Sequence, residues 1–370
     1  MGDGPAGNLP HYLYCLLPRH DRGMYMGNHI DIAGRLVGND YPPLVIAEIG
    51  INHEGSFDKA VRMVEDAHRA GCECVKLQCH ILEEEMIEND VVPANASESI
   101  WNMMNRCSLS EKEEEALKEL VETKEMIFLS TPFSRAAADR IKRMGVSAFK
   151  IGSGECNNYP LIQHIADFGQ PIILSTGMND LKSIAVAVDI LEKSRVPYAL
   201  LHCTSLYPTP YEKVRLGAMV ELAQRFPEAI IGLSDHSLGN YTCFAAVALG
   251  AAIVEKHFTS DRNWSGPDIP ISINPEELAD LVRGTAAIHR ALGGRKEILA
   301  EEGPTIKFAY ASVVTIKFVK QGELLTEDNI WVKRPGTGEI LAPDFYKVLG
   351  CRARRDLLVN SQLTYEDVDL

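Results

Sequence analysis

Long apolar runs and an excess of positive charge are both lacking in this sequence. No apolar run approaches the ~20 residues needed to cross a bilayer, and the apolar patch at 13–17 is too short for the core of a signal peptide. Lysine and arginine (37) are outnumbered by aspartate and glutamate (51), which gives a formal net charge of −14. That balance disfavours nucleic acid and anionic membranes as partners, and we expect a cytoplasmic protein.

Paired cysteine motifs are also missing. The nine cysteines are odd in number and mostly lie in apolar runs, which is typical of reduced thiols in a cytosolic protein. Cys72, Cys74 and Cys79 stand close together, but no second Cys or His pair follows at the spacing of a zinc finger. The sequence therefore predicts neither a disulfide framework nor a structural zinc site.

A regular alternation of short apolar runs with amphipathic stretches dominates the chain. The amphipathic stretches, such as LKSIAVAVDILEKS, carry apolar residues at helical spacing. Eight strand–helix units over about 250 residues are the size and rhythm of a (β/α)8 TIM barrel, so the predicted fold class is α/β. The predicted strands are Leu44–Ile49, Cys74–Gln78, Met126–Ser130, Ala148–Gly152, Pro171–Ser175, Tyr198–His202, Ile230–Leu233 and Ala252–Glu255.

The barrel is expected to occupy residues 38–292, between segments of different composition. Residues 1–37 are interpreted as an N-terminal extension that is disordered in part, and the polar, glycine-containing 293–310 as a linker. Residues 311–370 contain β-type runs and turns, which predicts a separate small β-rich domain that is too small to host much chemistry alone. Residues 81–110 form an insertion of a length typical of a lid or binding loop.

Each predicted strand ends on polar side chains, and in a barrel these ends share one mouth. Lys76 and Lys150, with the hydroxyls near them, predict a cradle for phosphate or carboxylate, which an acidic protein needs to bind an anion. Two strands end on Ser234-Asp235-His236 and on Lys256-His257. Two imidazoles at neighbouring strand ends can share one divalent metal ion with open positions for water or substrate. Two unrelated structural histidines are the alternative interpretation.

A set of motifs covers most of the chain, from about residue 42 to residue 370. In order they are IAEIGINHEG, KLQ, LSTPFSR, FKIGSGECNNYPLI, ILSTGM, LLHCTSLYPTPYE, GLSDHS, EKHFT, GPDI, SVVTIKFVKQGELL and WVKRPGTG. Together they resemble the bacterial sialic acid synthase family, including its C-terminal antifreeze-like (SAF) domain. The resemblance implies an enzyme that condenses phosphoenolpyruvate with an N-acetylated amino sugar, releases phosphate and forms a nine-carbon 2-keto acid.

The resemblance also implies roles for the residues that match the family's motifs. His236 and His257 would hold Mn2+, or Mg2+ or another divalent cation, which polarises the aldehyde oxygen of the open-chain sugar. The catalytic candidates are Glu48, Glu155 and Lys76. A carboxylate, from Glu48 or Glu155, would stabilise developing positive charge and direct water. The phosphoenolpyruvate-binding candidates are Lys76, Thr131, Lys150, Ser153, Ser175 and Ser234. The sugar-binding candidates are Glu48, Gln78, Asn95, Ser205, Tyr207, Asp268, Phe308 and Arg334.

In that family each SAF domain caps the barrel of the partner chain, so the resemblance implies a domain-swapped homodimer. Phe308 and Arg334 would reach the sugar in the other chain's barrel. Two positions depart from the family's motifs, because Ser205 replaces the usual Asn and Leu77 replaces the usual His. We expect both departures to affect which sugar is bound.

The leading hypothesis is an N-acetylneuraminate synthase that uses N-acetylmannosamine. The alternative within the same chemistry is an N,N'-diacetyllegionaminate or pseudaminate synthase that uses a 2,4-diacetamido-trideoxyhexose. A non-catalytic carbohydrate- or ice-binding protein would keep the SAF domain without needing the polar ring of the barrel. A synthase for a phosphorylated sugar would need a second phosphate site, and no Arg cluster beyond the two lysines indicates one.

Overall fold

The structure, a computed structural model, describes residues 28–93 and 96–370 of the chain. The chain divides into two compact units between Gly293 and Gly294. Residues 1–27, most of the predicted extension, and Asn95 lie outside the described residues. None of the described helices is both long and apolar enough to cross a membrane.

The first unit is built on short strands whose residues are largely buried. Every residue of the strand Leu44–Gly50 is buried, and the strands end on the polar residues noted in the sequence. Eight of them form the main sheet and the first two form a hairpin. The strands are β1 His29–Ile32, β2 Arg35–Gly38, β3 Leu44–Gly50, β4 Cys74–Cys79, β5 Ile127–Pro132, β6 Phe149–Ile151, β7 Ile172–Ser175, β8 Tyr198–Cys203, β9 Ile230–Asp235 and β10 Ile253–His257.

The helices of this unit begin on residues that satisfy exposed backbone N–H groups. Ser56 and Ser134 each accept a hydrogen bond from an N–H of the first turn, and Asn274 forms a reciprocal capping box with Glu277. The helices are α1 Phe57–Arg69, α2 Leu82–Glu85, α3 Ile100–Cys107, α4 Glu111–Thr123, α5 Arg135–Met144, α6 Tyr159–Ala166, α7 Leu181–Ser194, α8 Tyr211–Val214, α9 Leu216–Arg225, α10 Tyr241–Ala248 and α11 Pro275–Ala291.

The main sheet closes on itself as a barrel. Its strand order is β5-β4-β3-β10-β9-β8-β7-β6, and the registered pairs are all parallel. The two strands at the ends of this order, β5 and β6, also lie in contact with each other. The predicted (β/α)8 TIM barrel is therefore confirmed, and the carboxyl ends of all eight strands meet at one mouth.

Alternate residues of each barrel strand face the barrel axis or the helices. Leu44 and Ile46 of β3 belong to the cluster that fills the barrel, whereas Val45 and Ala47 pack in the larger cluster between sheet and helices. The same period of two applies to the other strands. A side chain two positions beyond an interior apolar residue therefore points into the mouth.

The hairpin β1–β2 differs from the prediction that placed all of residues 1–37 outside the barrel. Ile30, Ile32 and Val37 are buried and pack in the same cluster as Leu44 and Ile253, which begin their strands. The hairpin thus closes the amino-terminal end of the barrel. Its four-residue alternation is too short to be distinguished from the polar extension before it by pattern alone.

The second unit begins at Gly294 and has a hydrophobic core of its own, to which Val313, Ile330 and Val348 contribute. Its strands pair antiparallel, β11 with β12 and β13 with β14. The segment predicted as a linker is not wholly irregular, because it contains a short helix. The elements are β11 Ser312–Thr315, β12 Ile330–Lys333, β13 Arg352–Ala353, β14 Val368–Asp369, α12 Gly303–Ala309 and α13 Phe345–Val348.

Candidate active site

Four charged side chains meet inside the mouth of the barrel. Glu48, Lys76, Lys150 and Glu255 each stand two residues after an interior apolar residue, and each is at most 5% exposed. Lys76 Nζ lies 3.1 Å from Glu48 Oε2 and 3.4 Å from Glu255 Oε1, and Lys150 Nζ lies 3.7 Å from the same Glu255 oxygen. The Glu255 carboxylate thus connects the two lysines.

Hydroxyl groups from three further strands surround these charges. Lys76 Nζ donates to Thr131 Oγ1 at 3.2 Å, and Lys150 Nζ donates to Ser175 Oγ at 2.7 Å. Ser234 Oγ donates to Glu255 Oε1 at 3.0 Å. Two ammonium groups with hydroxyls at their sides form a cradle that offsets the charge of a phosphate or a carboxylate.

The pKa values of the two carboxyl groups differ because Glu255 contacts two lysines and Glu48 contacts one. Burial raises the pKa of Glu48, and the ion pair with Lys76 opposes this only in part. Burial also acts on Glu255, but Lys150 and Lys76 outweigh it and lower the pKa of that carboxyl to about 2. Glu255 is therefore a fixed negative charge, whereas Glu48 is the carboxyl group suited to exchange a proton.

The two lysines also differ. Burial lowers the pKa of Lys150 to about 8, although Glu255 acts in the opposite direction. Burial also disfavours the charged form of Lys76, but Glu255 and Glu48 outweigh that effect and raise its pKa. Lys76 therefore stays charged, and Lys150 is the cation that can lose its proton at mildly alkaline pH.

The two histidines predicted as metal ligands lie next to each other. The ring centroids of His236 and His257 are 5.3 Å apart, and the Tyr207 ring lies 4.2 Å from that of His236. His236 Nδ1 lies 3.0 Å from the carbonyl oxygen of Thr204, to which it donates, so the lone pair of Nε2 remains for a ligand bond. Burial lowers the pKa of His257 to about 4, which makes that imidazole neutral at pH 7.

These donors fit a divalent cation that keeps open coordination positions. His257 Nδ1 is buried without a hydrogen-bond partner, and Asp268 Oδ2 lies 3.8 Å from it. Within residues 28–93 and 96–370, no group of three or more His, Cys, Asp or Glu side chains is arranged as a complete metal site. Burial would lower the pKa of His236, but Cys203 and the carbonyl of Thr204 outweigh it and raise that pKa, so this imidazole must release its proton to bind a cation. The two imidazoles would then share the ion with water or substrate.

Ser153 and Ser205 lie together at another part of the mouth. Ser153 Oγ accepts a hydrogen bond from the Gly177 N–H at 3.0 Å, and Ser205 Oγ lies 4.0 Å from the sulfur of Cys203. A Cβ on Gly177 would lie 2.5 Å from Ser205 Oγ and 2.8 Å from Ser153 Oγ. A larger residue at position 177 would therefore displace the hydroxyl groups of both serines.

The remaining predicted residues are more scattered. Gln78 Nε2 donates to Glu48 Oε1 at 2.9 Å, which places it beside the charged cluster. Glu155 lies in a short turn after β6, where its carboxylate accepts from Asn158 Nδ2 at 2.6 Å, and burial raises its pKa. Phe308 and Arg334 are exposed in the second unit, where Arg334 lines a pocket with Thr337 and Gln362 among others.

Three sequence interpretations are corrected by the alternation of side chains. Leu77, expected to affect the sugar pocket, faces the helices and is buried in the outer hydrophobic cluster. Asp235 and Lys256 also face outward, where they form a buried ion pair at 2.6 Å. Glu255 was missed, although its position two residues before His257 on one strand was the signal that both side chains share a face.

Known proteins resemble this chain over most of its length. A model of the NeuB family matches residues 63–297, and a model of the SAF domain matches residues 310–369. The chain belongs to the NeuB family. It is 37% identical over 317 residues to the N,N'-diacetyllegionaminic acid synthase of Campylobacter jejuni. The match covers 83% of this chain and 94% of that protein.

Two further relatives place this NeuB-family chain among enzymes. The human N-acetylneuraminate-9-phosphate synthase is 33% identical over 306 residues, with 81% of this chain and 85% of that protein covered. A crystal structure of the N-acetylneuraminic acid (sialic acid) synthetase of Leptospira borgpetersenii superposes with a TM-score of 0.70 at 37% identity, over 76% of this chain and 96% of that one. The chain is thus a sialic acid synthase-type enzyme.

Proposed function

We propose that this enzyme condenses phosphoenolpyruvate with N-acetylmannosamine and water, giving N-acetylneuraminate and phosphate. One observation carries the proposal: an anion cradle made by Lys76 and Lys150 lies in the same mouth as a pair of neighbouring imidazoles, His236 and His257. The cradle would offset the negative charge of a phosphorylated enol acid. The imidazoles could hold a cation that polarises the aldehyde of a sugar.

The residues of the cradle would hold phosphoenolpyruvate. Lys76 and Lys150 would offset its charge, and Ser175 and Thr131 would orient its oxygens. Ser153, at another part of the mouth, would add a further hydroxyl. Glu255 would keep the two ammonium groups in place, because its carboxylate contacts both. Glu48, whose pKa is raised by burial, is our candidate for the proton transfer and for directing water to carbon 2.

We also propose that His236 and His257 bind Mn2+ or Mg2+. A divalent cation held by these two imidazoles would supply a Lewis acid for the sugar carbonyl. The hydrogen bond from His236 Nδ1 to Thr204 holds that ring in the tautomer that a metal requires. Dialysis against a chelator should abolish phosphate release, and added Mn2+ should restore it. Binding of Mn2+ should also be lost in the His236→Ala variant when it is titrated without substrates.

A diacetamido-trideoxyhexose, as in legionaminic or pseudaminic acid synthesis, is a second candidate substrate. The similarity to the Campylobacter jejuni enzyme favours it, as does Ser205, which lies in the mouth where the family's motif has Asn. The smaller hydroxyl leaves more room there than an amide would.

Phosphate release in the presence of Mn2+ tests the choice of substrate. We expect turnover with N-acetylmannosamine and a nine-carbon keto acid detected by mass spectrometry. A higher kcat/KM with 2,4-diacetamido-2,4,6-trideoxymannose would select the second candidate, and a higher value with a phosphorylated N-acetylmannosamine would overturn both. Lys76→Ala is the inactive control. Sugar binding without turnover in the unaltered protein would indicate a non-catalytic carbohydrate-binding protein instead.

We further propose a domain-swapped homodimer in which the SAF domain of one chain completes the partner's sugar site. Exposed Phe308 and Arg334 are the side chains that would make this contact. Mixing inactive His236→Ala and Arg334→Ala proteins under conditions of subunit exchange should restore about a quarter of the activity, because half of the chains pair as mixed dimers with one intact site. No restoration on mixing, with exchange verified, would contradict the swap.

A further inference from the structure

His80 belongs to a chain of hydrogen bonds that reaches the centre of the barrel. Gln78 Nε2 donates to Glu48 Oε1 at 2.9 Å, and His80 Nε2 lies 3.1 Å from Gln78 Oε1. On the other side of the ring, His80 Nδ1 lies 2.7 Å from Glu85 Oε2. Four side chains thus connect helix α2 of the insertion with strand β3.

The directions of these hydrogen bonds determine which group Gln78 offers. An amide has one donor end and one acceptor end. Because the Glu48 carboxyl oxygen accepts from Gln78 Nε2, the acceptor end of the amide faces His80 Nε2. That nitrogen must therefore carry a proton and donate it to Gln78 Oε1. The second N–H of the amide is left for a ligand.

The ring of His80 is held in this orientation. It is only 6% exposed and stacks on Phe133, with ring centroids 4.6 Å apart and an interplanar angle of 11°. Glu85 fixes the ring from the side opposite Gln78. A rotated ring would break two hydrogen bonds in a buried place, which is costly because water cannot replace them.

We propose that His80 is a positioning residue that fixes the amide of Gln78, so that Gln78 presents N–H to an acceptor oxygen of the sugar. Without His80, the amide can turn over and present its carbonyl oxygen, and Glu48 loses a donor. The inference deepens the proposed function, on which it rests for the identity of the ligand. Lys76, which would hold phosphoenolpyruvate, contacts the other oxygen of Glu48, Oε2, at 3.1 Å, so this contact does not depend on His80.

Two substitutions of His80 distinguish the effect of its hydrogen-bond donor from the effect of its aromatic ring. His80→Phe keeps the stacking on Phe133 and removes the donor, whereas His80→Gln supplies an N–H near the position of Nε2. We expect His80→Phe to raise the KM for the sugar about tenfold, the effect of one lost hydrogen bond, with the KM for phosphoenolpyruvate within about twofold of the unaltered enzyme. His80→Gln should restore most of the sugar affinity.

A double-mutant cycle shows whether His80 acts through Gln78. In a Gln78→Met background, which has no amide to orient, His80→Phe should raise the sugar KM by less than about twofold. Additive effects of the two changes would overturn the inference. So would an equal rise of both KM values, or a lowered melting temperature together with unchanged KM values.

A crystal structure of the His80→Phe variant gives a readout that does not depend on the reaction. We expect the Gln78 amide to have left hydrogen-bonding distance of Glu48 or to have turned over. An amide that keeps its bond to Glu48 would refute the role of His80 even if the enzyme is a synthase. Failure of the unaltered enzyme to release phosphate would refute the proposed function instead.

Discussion

At the scale of single residues, the site consists of charges whose protonation is decided by their neighbours. Glu48 and Glu255 are the same side chain at the same depth, yet their pKa values move in opposite directions because Glu255 contacts two lysines and Glu48 contacts one. Sequence reasoning singled out Glu48 but not Glu255. The pKa of Glu255 depends on lysines from other strands, and the sequence does not show which strands contact each other.

Lys150 should make binding of phosphoenolpyruvate sensitive to alkaline pH. Its pKa is lowered to about 8 by burial, so the ammonium group is charged at pH 7 and loses its proton as the pH rises through 8. We expect the KM for phosphoenolpyruvate to rise severalfold between pH 7 and pH 9, measured by steady-state kinetics, with little change in the KM for the sugar.

The matched controls for this prediction are Lys150→Met and Lys182→Met. Lys150→Met should bind phosphoenolpyruvate weakly at every pH in that range, because it has no charge to lose. Lys182, an exposed residue of α7, should be replaceable without altering the profile. A pH dependence that persists in Lys150→Met would refute this assignment.

The buried carboxyl group of Glu114 should make the free energy of unfolding fall as the pH rises. It is buried beside Arg140, and burial raises its pKa to about 7. Between about pH 4.5 and 7 the unfolded chain loses this proton while the folded chain keeps it, so stability falls as the pH rises. Relative to Glu114→Gln, the unaltered protein should therefore lose melting temperature from pH 5 to pH 8, whereas exposed Glu115→Gln should follow the unaltered protein.

At the scale of elements, the strands were predictable and their boundaries less so. All eight barrel strands lie within two residues of the predicted bounds, for example Ile127–Pro132 against Met126–Ser130. Apolar runs indicate strands because both faces are covered in a parallel sheet. The hairpin β1–β2 and helix α12 escaped prediction, because four to seven residues carry too little pattern.

The insertion after β4 is held by a small apolar cluster of its own. Met103, Met104 and Cys107 of α3 pack with Leu82 of α2 and with Ile51, which follows β3. We expect Met104→Ala to loosen this insertion and to expose residues 81–110 to limited proteolysis, because truncating a buried Met costs about 2–5 kcal/mol.

Global unfolding of the barrel should change less than the proteolysis rate does, since the cluster lies apart from the main core. Ile87→Ala is the matched control, because Ile87 lies in the same insertion and is 89% exposed. Equal proteolysis of the two variants would show that the cluster does not hold the insertion.

At the scale of the whole molecule, two units with separate cores are joined in one chain. The core of the second unit includes Val313, Val348 and Leu363, and none of the three belongs to the barrel clusters. We expect Val348→Ala to destabilise the second unit by about 2 kcal/mol and to lower one calorimetric transition only. Exposed Tyr346→Ala should lower neither. A single transition that shifts as a whole would show that the units unfold together.

The sequence by itself determined the barrel, the division into two units and the polar strand ends, because hydrophobic period and motif order are local properties. It also indicated His236, His257, Lys76 and Lys150 as residues of one mouth, since parallel strands end on one side. Only the tertiary structure decided which neighbours share that mouth. Leu77 and Lys256 turn away and Glu255 turns in, because the side of a strand that a residue occupies is fixed by the pairing of the whole sheet.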